Sequence, residues 1–193
     1  MAQAAPDKRQ RLVTAAADLF HRRGLSSTSL ADVAHRAAVQ PGNVYYHFRS
    51  KKDLVAAVAQ EWTARIDTIL AALDRDPDPW QRLAAYIARA DRHRIDYADA
   101  GCPIAGINRD LRQLGGDGAA LAAPAFERQL SWLSDQFVRG GLDRSSADAD
   151  ARFLLATLQG SFVLGQSLGQ PALIGTVAER LGDWLYGVRA AAT

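Results

Sequence analysis

Apolar positions recur at intervals of three and four residues along almost the whole chain, and nowhere do they alternate in twos. That period predicts helices and no sheet. The first stripe is Leu12, Ala15, Ala16, Leu19 and Phe20, in a helix expected from Pro6–Asp7 to about Arg23 with Gly24 as its stop. Leu30, Val33, Ala34 and Ala37 mark a second, short helix, with Ser29 as N-cap and Asp32 able to complete a capping box. Ala38-Val39-Gln40 reads as a turn. Gln40 to Phe48 is a third helix, with Pro41 in its first turn and Val44 and Phe48 facing inward. Ser50 caps a long helix to about Asp74, striped by Leu54, Val58, Trp62, Ile66, Ile69, Leu70 and Leu73.

After the break Asp76-Pro77-Asp78-Pro79, a single helix is expected from Trp80 to about Tyr97. Pro103 opens another, and Gly115-Gly116-Asp117-Gly118 reads as a loop. Ala119 to Arg139 reads as helical. Ser145 with Asp148 resembles a second capping box, starting a helix to about Leu168, and Pro171 starts the last one. The expected fold is all-α, with residues 1–50 as a small three-helix unit and residues 51–193 as a larger helical domain.

The chemistry gathers between Thr28 and Lys51. Two short helices joined by a tight turn, the second rich in hydrogen-bonding groups, form a helix-turn-helix reader of the major groove. With Val44 and Phe48 turned inward, Pro41, Gly42, Asn43, Tyr45, Tyr46 and His47 are left on the outer surface. Gln40 and Asn43 carry amides suited to base edges, adenine above all. Gly42 allows close backbone approach, and Pro41 and Tyr45 offer apolar contact. Tyr46, His47 and Lys51 suit phosphate oxygens, as do Thr28 and Ser29 at a helix start. The competing reading is that Tyr45 and His47 simply cover the three-helix core.

The residues Thr28-Ser29, Asp32-Val33-Ala34, Ala37-Ala38-Val39, Gly42-Asn43-Val44-Tyr45-Tyr46-His47-Phe48 and Ser50-Lys51-Lys52-Asp53-Leu54 resemble the DNA-binding domain of TetR-family transcriptional regulators. The resemblance implies base contacts at Gln40, Pro41, Gly42, Asn43 and Tyr45, and backbone contacts at Thr28, Ser29, Tyr46, His47 and Lys51. One departure is Ala38, where the family usually has Gly. If that position needs a positive φ, Ala carries a strain of roughly 1 kcal/mol there.

Charge supports the same end of the chain. Residues 1–53 hold nine Lys and Arg against four Asp and Glu, while the rest of the chain is mildly acidic. A basic first quarter suits a polyanion. No apolar run is long enough to cross a membrane. The start MAQAAPDKRQ has no apolar signal core, and a single Cys fits a reducing compartment, so a cytoplasmic location is expected. His21, His35, His47 and His93 show no metal-ligand spacing, and no nucleophile, phosphate-loop or dinucleotide motif is present. No cofactor, metal or enzymatic activity is expected.

The larger domain carries two further expectations. Trp62, Ile66, Tyr86, Ile107, Phe126 and Phe162, with Cys102 and the polar Asn108 and Gln166, are candidates to line a pocket for a small, largely apolar effector, though each apolar one reads first as plain core. Cys102 also precedes Pro103 at a helix start, where a thiolate is favoured. The segment GCPIAGINRDL resembles the Gly-Cys-Pro-led helix of the YxaF/LmrA-like branch of the family, whose C-terminal domain is taken to bind an effector. The last two helices hold more apolar surface than one chain needs. Either they are deep core helices, or Leu154, Leu158, Ser161, Phe162, Gly165, Val177, Leu181, Trp184 and Leu185 form a homodimer interface, which the resemblance favours. A two-fold dimer would set two reading helices about 34–36 Å apart, on successive major grooves of a palindromic operator. The rival readings are a helical enzyme or small-molecule-binding protein that uses its basic face for an acidic substrate, and a DNA-binding protein without a ligand.

Overall fold

The computed structural model describes residues 7–114, 120, 121 and 123–192. The described residues form helices joined by short turns: α1 (Lys8–Arg23), α2 (Leu30–Arg36), α3 (Pro41–His47), α4 (Lys51–Leu73), α5 (Pro79–Arg92), α6 (Arg94–Ala100), α7 (Pro103–Leu114), α8 (Pro124–Arg139), α9 (Arg144–Leu168) and α10 (Pro171–Ala191). The all-α expectation holds. The expected start at Pro6, the glycine loop at 115–118 and the helix start at Ala119 lie outside the described residues.

Helix starts follow local chemistry. Asp7, Asp78 and Asp143 accept hydrogen bonds from backbone amides at the starts of α1, α5 and α9. Ser50 and Asp53 exchange backbone and side-chain bonds at the start of α4 (3.0 and 3.2 Å). Two expectations fail on such details. The helix expected from Trp80 to Tyr97 is interrupted at His93, whose backbone caps α5 and begins α6. The capping box expected at Ser145 and Asp148 is absent, because Asp143 caps α9 through Ser146 and Asp148 instead accepts from Ser134 of α8.

The chain divides into two compact units, Met1–Ala64 with Pro103–Ala125, and Arg65–Cys102 with Phe126–Thr193. This differs from a cut after residue 50. In the first unit α7 packs on α1, and Ile107 and Leu111 join Leu12, Val33, Val44, Leu54 and Val58 in one core. Three short helices bury too little surface on their own, and the first half of α4 and α7 supply the rest. Leu25 N donates to Asp110, a further tie of α7 to the α1–α2 loop.

In the second unit α10 packs on α5, α6 and α9, and α9 on α6. Several of its polar groups are paired. The Tyr86 hydroxyl donates to Gln129 at 2.7 Å, and Arg82 donates to the Asp74 and Asp76 carbonyls and to Gln136 Oε1, pinning the break before α5 to α8. A Cβ on Gly165 would lie 2.7 Å from Ile174, so the glycine permits the close crossing of α9 and α10.

Candidate nucleic-acid interface

The interface begins with a cap. Ser29 Oγ accepts from the Asp32 amide, and the Asp32 carboxylate accepts from both the amide and the hydroxyl of Ser29. These bonds hold the Asp32 carboxyl below its usual range. At the other end of α2, Val39 N donates to Ala34 O and Ala38 N to His35 O, the paired bonds of a Schellman motif. Buried Val39 and Ala34 supply its apolar contact. The motif needs a left-handed residue between them, and Ala38 takes φ +52° to provide it. The departure noted in the sequence is therefore a strained position.

The turn delivers the chain into α3. Gln40 has extended geometry and is exposed, Pro41 fills the first helical position, and Asn43 N donates to Gln40 O. Val44 (1% exposed) and Phe48 (3%) anchor one side of α3 in the core. The opposite side stands in solvent: Tyr45 is 64% and Tyr46 84% exposed. Tyr45 therefore does not cover the core. Gly42 is exposed with open space where a Cβ would be, so the fold itself sets no demand for glycine there. Asn43 and His47 are half-buried, and His47 meets Tyr46 edge-on at 5.0 Å. Arg49, which the sequence reading passed over, is exposed immediately after this surface.

The expected phosphate set is only partly free for that task. Thr28 is 1% exposed and its hydroxyl donates to Gly24 O, because it ties the loop before α2 to the end of α1. Ser29 is exposed but committed to the capping box. Lys51 Nζ donates to Leu25 O at 2.5 Å, which makes it a brace between α4 and the α1–α2 loop. Tyr46 and His47 carry no such commitment to the core.

The expected effector residues divide between the two units. Trp62, Ile107 and Asn108 belong to the first unit, where Ile107 is core and Trp62 meets His21 edge-on. Ile66, Tyr86, Cys102, Phe126, Phe162 and Gln166 belong to the second. There the Tyr97 ring stacks on Phe162 at 4.0 Å, and burial with the nearby Cys102 pushes the Tyr97 hydroxyl up to about 12. Burial also pushes Tyr86 upward. Gly101, at φ +74°, leaves room for the Gln166 amide, which a Cβ would meet at 2.6 Å. Phe126 lines a different feature, a mainly apolar groove of about 310 Å³ between α8 and α9, with Leu130, Leu155, Ala156, Arg152 and Gln159.

The residues expected at a dimer interface lie mostly inside the chain's own core. Leu154, Leu158, Ser161, Phe162, Gly165, Leu181 and Leu185 are buried inside a single chain, and Val177 and Trp184 are half-buried. Their stripe packs α9 and α10 against each other and against α5 and α6. The apolar groups left in solvent on these helices are Phe153, Val163, Leu164, Leu168 and Tyr186. Among the described residues no cluster of His, Cys, Asp or Glu could hold a metal, and no helix is long and apolar enough to cross a membrane.

Fold and site together define a class, an all-α protein with a helix-turn-helix for DNA. Residues 12–58 match the family described as bacterial regulatory proteins, tetR family. The transcriptional repressor DhaR of Mycobacterium sp. (strain GP1) is 29% identical over 163 residues, 80% of this chain and 80% of its own. The transcriptional regulator AcrR of Shigella flexneri is 41% identical over 56 residues, 29% of this chain and 26% of its own. A TetR transcriptional regulator from Legionella pneumophila shares the fold with a TM-score of 0.84, over 94% of this chain and 98% of that one, at 19% identity. Residues 12–58, which hold the helix-turn-helix, thus match the tetR family of bacterial regulatory proteins, and the helical fold of the chain is one that TetR-type structures share.

Proposed function

We propose that the protein is a homodimeric repressor that occupies a palindromic operator and leaves it when a small, largely apolar molecule binds the second unit. The observation that carries the DNA reading is the two-sided build of α3. Val44 and Phe48 fix it in the core while Tyr45 and Tyr46 project into solvent beside Gln40, Pro41, Gly42 and Asn43. In this reading Gln40, Pro41, Gly42, Asn43 and Tyr45 face base edges, and Tyr46 and His47 grip phosphates. Thr28 and Lys51 hold the scaffold, and Ser29 orders α2.

The apolar groove at Phe126 and the aromatic group of Tyr86, Tyr97 and Phe162 support an effector in the second unit. An effector can release DNA only by preferring one conformation over another. Helix α4 runs through both units, which suits it to carry that preference. The segment that opens α7 supports placement near the YxaF/LmrA-like branch. The reading assigns no catalytic role and a cytoplasmic location.

Footprinting on the DNA upstream of its own gene tests the proposal, with a two-fold symmetric protected site as the expected result. Asn43→Ala should reduce discrimination at one base pair per half-site by about 1–3 kcal/mol. Tyr46→Ala should weaken binding equally on all sequences. Equal loss on matched and unrelated duplexes from both variants would remove the base-reading role of Asn43.

A further inference from the structure

We infer that Arg9, on α1, is a second grip on the DNA backbone, set in place by the ring of Phe48. The inference rests on the DNA-binding reading of α3 and adds a contact from a different helix. The Arg9 guanidinium carbon lies 5.3 Å from the centroid of the Phe48 ring. Phe48 is the residue that ends α3 and follows His47, and it is 3% exposed. Arg9 itself is exposed. The buried ring therefore serves as a shelf that holds an exposed cation against the residue that ends α3.

A guanidinium held by an aromatic ring keeps its N–H fork for other acceptors. Among the described residues no hydrogen bond or ion pair engages that fork. The carboxylate on the same turn, Asp7, accepts from the Arg9 backbone amide. Three other arginines of the first unit are engaged, Arg22 and Arg36 with Asp18 and Arg109 with Asp110, while Arg11 Nε, like the Arg9 fork, has no partner among the described residues.

Helix electrostatics give no folding reason for Arg9. The first turn of α1 carries Lys8, Arg9 and Arg11 and no acidic residue. Cations at a helix N-terminus oppose the helix dipole. The ring contact is the one gain the fold draws from this cation, and a local rule broken for so little marks a position kept for another task. A flat, charged fork at the rim of the reading surface fits a phosphate, which takes bidentate donors.

The test is binding of the full-length protein to a mixed-sequence duplex across a series of salt concentrations, beside thermal unfolding. Arg9→Ala should leave the midpoint of unfolding nearly unchanged, because relief of the cation in the first turn and loss of the ring contact are of similar size. It should flatten the slope of log affinity against log salt by about 0.9 for each Arg9 in contact. Arg9→Lys should keep the slope and bind more weakly than the native protein. An unchanged slope in Arg9→Ala overturns the inference, as does a fall in affinity that only follows a fall in the unfolding midpoint. If the native protein itself shows no salt-dependent binding to duplex, the reading of α3 fails first and takes this inference with it.

Discussion

Ala38 carries a backbone conformation that its side chain opposes. With φ at +52° it closes the Schellman motif between the two helices of the reader. A left-handed residue other than glycine costs on the order of 1 kcal/mol through its Cβ. Ala38→Gly removes that clash and adds some freedom to the unfolded chain, so a net gain of up to about 0.5 kcal/mol is expected. Urea unfolding of the two proteins measures it. A loss of stability would mean that the turn tolerates alanine without strain. The turn was legible as a turn from Ala38-Val39-Gln40, and the strain was legible as a condition. Only the bond pattern from Val39 to Ala34 and from Ala38 to His35 establishes that the condition is met.

At the scale of elements, α1 and α2 are joined by one carboxylate. Asp18 on α1 accepts from Arg22 of its own helix at 3.1 Å and from Arg36 of α2 at 2.8 Å. Burial pushes the Asp18 carboxyl up, but the bonds and charges of Arg36 and Arg22 outweigh it, and the net direction is down. A carboxyl lowered on folding adds stability that is fully present above its unfolded value of about 3.9 and is lost as pH falls through the folded value. Asp18→Asn should therefore lower stability at neutral pH and flatten the acid limb below about pH 4, where the two proteins converge. Denaturant unfolding followed by circular dichroism against pH shows this, and parallel acid limbs would refute it. Elements of this unit were readable because apolar period, caps and prolines agree at α1 to α4. The agreement fails at His93, where no proline or glycine marks the break, and at Asp143, where two possible caps stand two residues apart. Side-chain commitments were less readable still. Nothing in the sequence says that Thr28 turns inward to Gly24 O or that Lys51 reaches Leu25 O, because both partners are backbone carbonyls, which any residue carries.

The same ambiguity governs the whole molecule, where α9 has apolar groups on more than one side. Periodicity found the stripe at Leu154, Leu158, Phe162 and Gly165, but could not tell a chain's own core from a surface for a second copy. Burial assigns that stripe to the core and leaves Phe153, Val163, Leu164 and Leu168 on α9 and Tyr186 on α10 in water. Val163, Leu164 and Leu168 are each more than half exposed (61, 52 and 57%). Isolated exposed apolar groups are common, but a row of them along one helix marks a surface for association. The proposed dimer therefore uses this outer face, and two substitutions separate it from the inner one. Leu158→Ala should act on stability, by about 2–5 kcal/mol, since it opens a cavity in a single chain. Leu164→Arg should leave helicity intact while sedimentation shows a lone subunit and operator affinity collapses, because one reader then meets one half-site. If Leu164→Arg sediments as a dimer, the outer face is not the joint, and the two-fold arrangement proposed for the operator loses its physical basis.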